Sequence, residues 1–287
     1  MRWQGNRQSE NVEDRRGAKG PVMVGGGIGA VVLVLLVLVF GGPKAALQLI
    51  NQLPQGGAAA PGVPGAAPEA NDETTQFIRT VLADTEDVWA EQFRKVGKQY
   101  EPTTLVLFAG EVESRCGFAS AAVGPFYCPA DGKVYLDTQF FRELEVRFQA
   151  PGEFAEAYVI AHEIGHHVQN QLGWSDQIHA LQQRADKIEA NQLSVRLELQ
   201  ADYLAGVWAH HAQKARNILE QGDVEAAMKA AEKIGDDALQ RAAGRRVVPD
   251  SFTHGTSAQR ARWFRLGLER GDLSGAMQIL DLTYSQL

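Results

Sequence analysis

The most constraining feature of the sequence is a His-Glu-x-x-His pattern inside an apolar run at 157–168. On an α-helix, residues four apart lie on one face, so His162 and His166 can both direct an imidazole nitrogen at one zinc ion. Glu163 lies on an adjacent part of that surface, where a carboxylate can take a proton from a water activated by the metal. The apolar neighbours predict a mostly buried helix, on which these polar groups are costly unless something satisfies them.

The third metal ligand must come from elsewhere in the chain. Metzincins place a glycine and a third histidine after the motif, but Gln169 and Leu172 stand at those places. A glutamate from a separate helix is the alternative, as in the His₂Glu sites of thermolysin type. The 195–208 segment predicts such a helix, with Glu198 and Asp202 one turn apart on one face. We expect Glu198 to bind zinc and Asp202 to accept the second ring N–H of a ligand histidine.

Several segments resemble zinc metallopeptidases of the gluzincin kind, and more closely the neutral zinc metallopeptidase family of bacterial membrane-anchored proteins. The segments that carry this resemblance are 116–117, 124–131, 134–137, 162–167 with Gln169, 198–202 and 253–260. The resemblance as a whole covers the chain from the N-terminal apolar segment to near the end. The resemblance implies a zinc-dependent hydrolase whose substrate is a peptide or protein, and it leaves the natural substrate open.

The resemblance also implies a role for a downstream histidine. His254 matches the place in the family motif from which a side chain stabilises the oxyanion formed during hydrolysis. The alternative is a loop histidine that caps or packs beside Trp263. Arg260 is a weaker candidate for the same role, because an arginine on a helix is usually solvated or paired with an acid.

Composition restricts the classes of partner and leaves one question open. The chain has 287 residues, 45% of them hydrophobic, and a formal net charge of −7. No basic excess is available to displace counterions from phosphates, so we expect no nucleic-acid partner. Cys116 and Cys128 are the two cysteines. They form either a short-loop disulfide, worth roughly 3 kcal/mol in an oxidising compartment, or two reduced thiols.

The pattern of residues 1–71 predicts a membrane protein. Residues 1–20 are polar and of mixed charge, which is typical of a disordered tail. Residues 21–42 carry no charge and are long enough for a transmembrane anchor. Basic residues just before this span place the N-terminus in the cytoplasm and the rest of the chain in the periplasm or outside the cell. A Pro, Gly and Ala-rich linker at 43–71 leads to the catalytic domain at 72–287.

The expected fold class is α+β, with a mainly helical zincin-like domain, a small antiparallel β-ribbon and one preceding transmembrane helix. Helical spacing of apolar residues over 77–96 predicts a first helix, and the run at 103–108 predicts a strand. The ribbon spans 117–137, with its turn at 130–132 and its last strand at 133–137. It either holds an extended substrate by backbone hydrogen bonds or is a structural hairpin.

Together these features predict a membrane-anchored zinc metalloendopeptidase, in which His162, His166 and Glu198 bind Zn²⁺ and Glu163 is the general base. The alternative is an exported binding or regulatory module with a structural or degenerate zinc site. A structural site has no need of a base, so the presence of Glu163 favours the enzyme. The sequence leaves the oligomeric state open.

Overall fold

The computed structural model describes residues 1–17, 72–120 and 123–287, and this part of the chain is mainly helical with two small sheets. The α-helices are α1 (Glu73–Lys95), α2 (Gln139–Val146), α3 (Glu153–Leu172), α4 (Trp174–Gln182), α5 (Lys187–Arg216), α6 (Asp223–Lys233), α7 (Asp236–Ala242), α8 (Ser257–Arg270) and α9 (Ser274–Asp281). Short 3₁₀ helices cover Pro249–Ser251 and Tyr284–Gln286.

The strands are β1 (Val12–Asp14), β2 (Leu105–Phe108), β3 (Glu111–Ser114), β4 (Gly117–Ser120), β5 (Phe126–Cys128) and β6 (Lys133–Asp137). Four of them form a mixed sheet in the order β1-β2-β6-β5. The β1–β2 and β2–β6 pairs are parallel, and β5–β6 is antiparallel. Strands β3 and β4 form a separate antiparallel hairpin. Every residue of β2 is buried, as expected for a strand inside a sheet covered on both faces.

The expected fold class contains one small antiparallel ribbon, and this part of it is wrong, because the structure has a four-stranded mixed sheet and a separate hairpin. The second half of the predicted ribbon forms as β5, a turn closed by a 2.9 Å hydrogen bond from the Gly132 N–H to the Cys128 carbonyl, and β6. The first half of the predicted ribbon contains β4, which pairs with β3 and not with β5 or β6. Residues 121–122, also in this half, lie outside the described residues. The parallel partners of β2 are distant in sequence, so no local turn signal indicates them.

The prediction of a disordered tail at residues 1–20 is also wrong for residues 1–15, and residues 18–20 lie outside the described residues. Residues 1–15 belong to the same compact unit as the described chain from 72 onward. The Trp3 side chain is 4% exposed, and Val12 pairs with Leu105 at the edge of the mixed sheet. A buried tryptophan and a three-residue strand thus contribute to docking a segment whose composition is otherwise polar.

The predicted transmembrane helix at 21–42 and the linker at 43–71 lie outside the described residues. Among the residues that the structure does describe, no helix combines the length and apolar character needed to cross a bilayer. The transmembrane part of the expected fold class therefore has no support in the structure. The fold class that the structure supports is mainly helical with small sheets.

Helix α3 lies at the centre of the core, between α1, α5 and α6. Its apolar side chains are almost all buried, as the sequence around the His-Glu-x-x-His pattern predicts. Phe154 stacks on Trp208 of α5, with ring centroids 5.9 Å apart. Tyr158 meets Phe264 of α8 edge to face, with centroids 5.2 Å apart. These aromatic pairs fix α3 against both of the helices that carry the remaining candidate site residues.

Helices α5 and α8 approach closely because glycines face each other between them. A Cβ added to Gly206 of α5 would overlap the Phe264 carbonyl oxygen of α8. In the same way, a Cβ added to Gly267 of α8 would overlap the Tyr203 carbonyl oxygen of α5. The two backbones are therefore in direct contact at this crossing.

The two cysteines form a disulfide, which decides the alternative that the sequence left open. Cys116 lies in the turn between β3 and β4, and the buried Cys128 ends β5. The bond therefore fastens the β3–β4 hairpin to the edge of the mixed sheet. No free cysteine is present in the chain.

Candidate metal centre

Three side chains from two helices converge on one point. His162 and His166 come from α3, and Glu198 comes from α5. The His162 Nε2 lies 3.2 Å from Glu198 Oε2, and the His166 Nε2 lies 3.5 Å from Glu198 Oε1. All three candidate ligand atoms are within 4.8 Å of one another, a spacing that allows them to hold a single metal ion. The structure thus brings together the three residues that the sequence proposed as ligands.

A glycine within the motif allows the two ligand-bearing helices to approach. A Cβ added to Gly165 would lie 3.0 Å from the Ala201 carbonyl oxygen and 3.1 Å from the Ala201 Cα. Such distances are tighter than ordinary van der Waals contact, so a larger residue here would push α5 away from α3. The separation of Glu198 from the two histidines depends on this contact.

Both histidines are held by their Nδ1 atoms, which leaves Nε2 facing Glu198. The His162 Nδ1 is 2.8 Å from Asp202 Oδ1, and the His166 Nδ1 is 2.8 Å from Gln169 Oε1. The Gln169 amide donates to the Leu197 carbonyl (2.6 Å), so its oxygen is the atom that faces His166. This network assigns the proton to Nδ1 and the free lone pair to Nε2 in each ring.

Asp202 belongs to a buried network of charges and hydrogen bonds. Arg260 of α8 donates from Nε to Asp202 Oδ2 at 2.9 Å and from Nη2 to Oδ1 at 3.1 Å. The Tyr158 hydroxyl donates to Oδ1 at 2.5 Å. Asp202 is fully buried and Arg260 is 2% exposed. Burial alone would raise the pKa of Asp202, but Arg260 and His162 hold it below its usual value. The acid therefore stays ionised beside the His162 ring.

The electrostatic field at this point favours a cation. Burial alone would lower the pKa of His162, but Asp202 and Glu198 outweigh it and raise that pKa to about 10. Burial likewise opposes ionisation of Glu198, and His166, His254 and His162 nonetheless hold its pKa well below the usual range. A metal ion bound here would replace the extra imidazole proton. Two neutral Nε2 donors and one carboxylate form the His₂Glu set of catalytic zinc sites.

Comparison with known proteins agrees with this ligand chemistry. The family model described as "Putative neutral zinc metallopeptidase" matches residues 1–277. The chain belongs to this zinc metallopeptidase family. The resemblance expected from the sequence motifs is thus confirmed, and Zn²⁺ is the cofactor that the family implies.

The chain is similar to uncharacterized proteins of two different bacteria. The uncharacterized protein YpfJ of Escherichia coli (strain K12) is 46% identical over 285 residues, which cover 95% of this chain and 96% of YpfJ. The uncharacterized protein Rv2575 of Mycobacterium tuberculosis is 38% identical over 223 residues, which cover 74% of each chain. No solved structure matches the chain.

In this member of the family the carboxyl group of Glu163 is buried beside the ligand group without belonging to it. Its side chain comes from the same helix turn as His162, and the residue is 8% exposed. Burial raises the pKa of Glu163 to about 7, although the neighbouring His162 and a hydrogen bond from the Tyr127 backbone N–H on β5 act in the opposite direction. A carboxyl group with a pKa near neutrality is suited to accept and return a proton.

His254 lies in the loop before α8, where Asp236 organises the backbone. Asp236 Oδ2 accepts the backbone N–H groups of Thr253 (2.7 Å), His254 (2.6 Å) and Gly255 (3.1 Å). Asp236 Oδ1 lies 3.2 Å from His254 Nδ1. Burial alone would lower the pKa of His254, but Glu198 and Asp236 raise it. The half-exposed imidazole is therefore oriented by Asp236 and lies within electrostatic reach of Glu198.

None of the other four histidines of the described residues belongs to the ligand group, and three of them have other hydrogen-bond partners. His167 lies 3.1 Å from the Tyr127 hydroxyl through Nδ1 and 2.8 Å from the Glu101 carbonyl through Nε2. His210 and His211 bond to backbone carbonyls of the α8 region. His179 is exposed on α4.

Sequence reasoning missed the roles of three residues that support the site, Gln169, Tyr158 and Asp236. Gln169 follows His166 by three residues and Tyr158 precedes His162 by four, so helical spacing could have indicated both. The Arg260 side chain is paired with Asp202 and is not free to face an oxyanion. Pairing with an acid is the alternative that the position of Arg260 on a helix suggested. Asp236 has no sequence signal, because its role depends on how α7 meets the loop at 253–255.

Asp202→Asn is expected to weaken zinc binding by about 10–100-fold, because the hydrogen bond that fixes His162 loses its charged acceptor. Competition with a chromophoric zinc chelator would measure this. Tyr158→Phe removes one hydrogen bond from Asp202 without leaving Arg260 unpaired, and it should have a smaller effect in the same direction. Asp272→Asn is the matched control, since Asp272 accepts hydrogen bonds from Ser274 and Gly275 away from the metal centre. Equal zinc affinity in Asp202→Asn and Asp272→Asn would contradict the role of Asp202.

Proposed function

We propose that this protein is a zinc-dependent metalloendopeptidase in which His162, His166 and Glu198 bind the metal and Glu163 is the general base. One observation carries the proposal. Two imidazole Nε2 atoms and one carboxylate converge on a point, while both Nδ1 atoms are engaged by Asp202 and Gln169. This arrangement supplies three protein ligands and preorganises them for a metal.

When bound, zinc supplies Lewis-acid chemistry, which lowers the pKa of a coordinated water to about 7 and polarises the substrate carbonyl. Glu163 would accept a proton from the attacking water as the water oxygen adds to the scissile carbonyl carbon. The same carboxyl group then returns the proton to the leaving amine as the C–N bond breaks. Burial raises the pKa of this carboxyl group to about 7, which favours its uptake of that proton. We assign stabilisation of the developing oxyanion to His254, whose Nδ1 lies 3.2 Å from Asp236 Oδ1.

The number of ligands supports an enzyme over the alternative of a binding module with a structural zinc. Structural zinc sites are almost always closed by four protein ligands. Among the described residues, the ligand group has three members, His162, His166 and Glu198. A three-ligand set with a buried carboxyl group beside it is the composition of a catalytic site.

Removal and return of zinc tests this function. The purified full chain, supplied with zinc, is expected to cleave members of a proteome-derived peptide library at internal bonds. Dialysis against 1,10-phenanthroline should abolish the new peptide ends detected by mass spectrometry, and stoichiometric zinc should restore them. A chain that binds one zinc ion yet generates no new ends above the chelated sample would contradict a peptidase. A library avoids dependence on any one substrate.

A further inference from the structure

The first fifteen residues, here called the N-terminal arm, contact the helix that carries the zinc ligands. The Trp3 ring meets Phe77 of α1 edge to face, with centroids 5.5 Å apart. Its indole N–H donates to Glu153 Oε1 at 2.7 Å. Glu153 is the first residue of α3, and Trp3 belongs to the main hydrophobic core. The arm therefore packs against the beginning of the ligand helix.

The middle of the arm is fastened to α1 by buried polar contacts. Ser9 is 1% exposed, and its hydroxyl donates to Glu86 Oε1 at 2.5 Å. The Asn11 side-chain amide donates to the same oxygen at 2.8 Å. In the backbone, the Ser9 N–H donates to the Arg79 carbonyl at 2.9 Å. A buried serine and a buried glutamate that satisfy each other are typical of a permanent interface, because either group alone would be costly to bury.

The end of the arm is the edge strand β1 of the mixed sheet. The Leu105 N–H donates to the Asn11 carbonyl at 2.9 Å, and the Arg15 N–H donates to the Leu107 carbonyl at 2.8 Å. Glu13 forms an ion pair of 2.9 Å with Lys133 of β6. Without the arm, the outer edge of the buried strand β2 would lose these backbone partners.

We propose that the N-terminal arm is a permanent part of the zinc-binding unit and lies in the same compartment as the metal centre. A chain that crossed a membrane once between residues 15 and 72 would place the arm and the ligand helices on opposite sides. That arrangement would expose Trp3, Ser9 and Val12 and break every contact described above. The inference concerns the described arm and domain, and it holds independently of the proposed catalytic function.

Arg15, one of the basic residues that suggested a cytoplasmic N-terminus, has another explanation. Arg15 donates to Glu13 at 2.8 Å, and Arg7 lies 2.9 Å from Glu86 and 2.8 Å from Asp87. These arginines are thus partners of carboxylates inside the folded unit. Counting Arg15 as a free charge beside a membrane span, as the positive-inside rule does, overstates its weight.

Thiol labelling of the full chain in cells tests the shared compartment. Both native cysteines are in the disulfide, so an introduced cysteine is the reactive thiol. Gln4→Cys reports on the arm and Glu225→Cys on the domain, and both positions are exposed. A membrane-impermeant maleimide is expected to label both variants to the same extent in intact cells, and again after permeabilisation. Labelling of one variant alone in intact cells would overturn the proposal.

Thermal unfolding tests the docking of the arm separately. Trp3→Ala in the full chain is expected to lower Tm by about 5–10 °C, since it removes a large buried ring. Gln8→Ala, at an exposed position of the same arm, should leave Tm unchanged. If Trp3→Ala does not yield folded protein, Trp3→Phe keeps part of the ring contact and should give a smaller fall. A Tm equal to that of the unmodified chain in both Trp3 variants would overturn the proposal.

Discussion

Glu163→Gln is expected to lower kcat for peptide hydrolysis by about 10²–10⁴-fold while one zinc ion stays bound, because general acid–base catalysis contributes an effect of that size. The amide keeps the shape of the side chain but cannot accept the proton of the attacking water. Glu163 is buried beside the ligand group and is not one of its three members, so the metal should be retained. Rates of peptide cleavage and zinc content, measured on the same sample, separate the two effects.

Glu156→Gln is the matched control for this experiment. Glu156 lies two turns before Glu163 on α3, and burial raises its pKa to about 7 as well. It takes no part in the ligand group. The Glu156→Gln enzyme should therefore cleave at the normal rate. A Glu163→Gln enzyme that retains zinc and also keeps the normal rate would rule out Glu163 as the base.

Glu198→Gln is expected to reduce zinc affinity by more than about 100-fold. Loss of a side chain that hydrogen-bonds to a metal ligand typically lowers metal affinity by about 10–100-fold, and loss of the ligand itself should lower it further. The substitution also removes the anion that pairs with His162 and His166 at 3.2 Å and 3.5 Å. Metal content after dialysis, together with chelator competition, gives the affinity.

A second glutamate on α5 provides the control for Glu198. Glu189 is exposed in the first turn of the helix, and Glu189→Gln should bind zinc normally. If Glu198→Gln still holds stoichiometric zinc after dialysis, the third ligand is another residue. Asp202 would then be the next candidate, as the acid one turn further along the same helix.

The metal centre was largely predictable from the sequence because helical periodicity determines it. The spacing of His162, His166 and Glu163 requires nothing beyond a regular helix. Glu198 and Asp202 follow from the same rule on a second helix, and the structure places both beside the histidines. What periodicity cannot give is how helices meet. The pairing of Arg260 with Asp202 depends on α8 crossing α5, and no pattern within either helix encodes that crossing.

The sheet was less predictable than the helices for the same reason. Strand β2 was recognisable from its own apolar residues, but its neighbours come from opposite directions along the chain. Strand β1 has three residues and lies in a segment rich in charge, which favours a prediction of disorder. Trp3 and Val12 stabilise this segment by packing into the main hydrophobic core, and their own sequence does not indicate that contact.

The direct contact between Gly206 and Gly267 limits how this protein can vary. With no side chains between the two backbones, nothing at the crossing can repack to absorb an added methyl group. An alanine at either position would separate the helices and thereby pull Arg260 away from the acid behind His162. A substitution far from any ligand would thus weaken the hydrogen bonding that orients the ligand histidine. Tolerance to substitution along these two helices should therefore be lowest where their side chains are smallest.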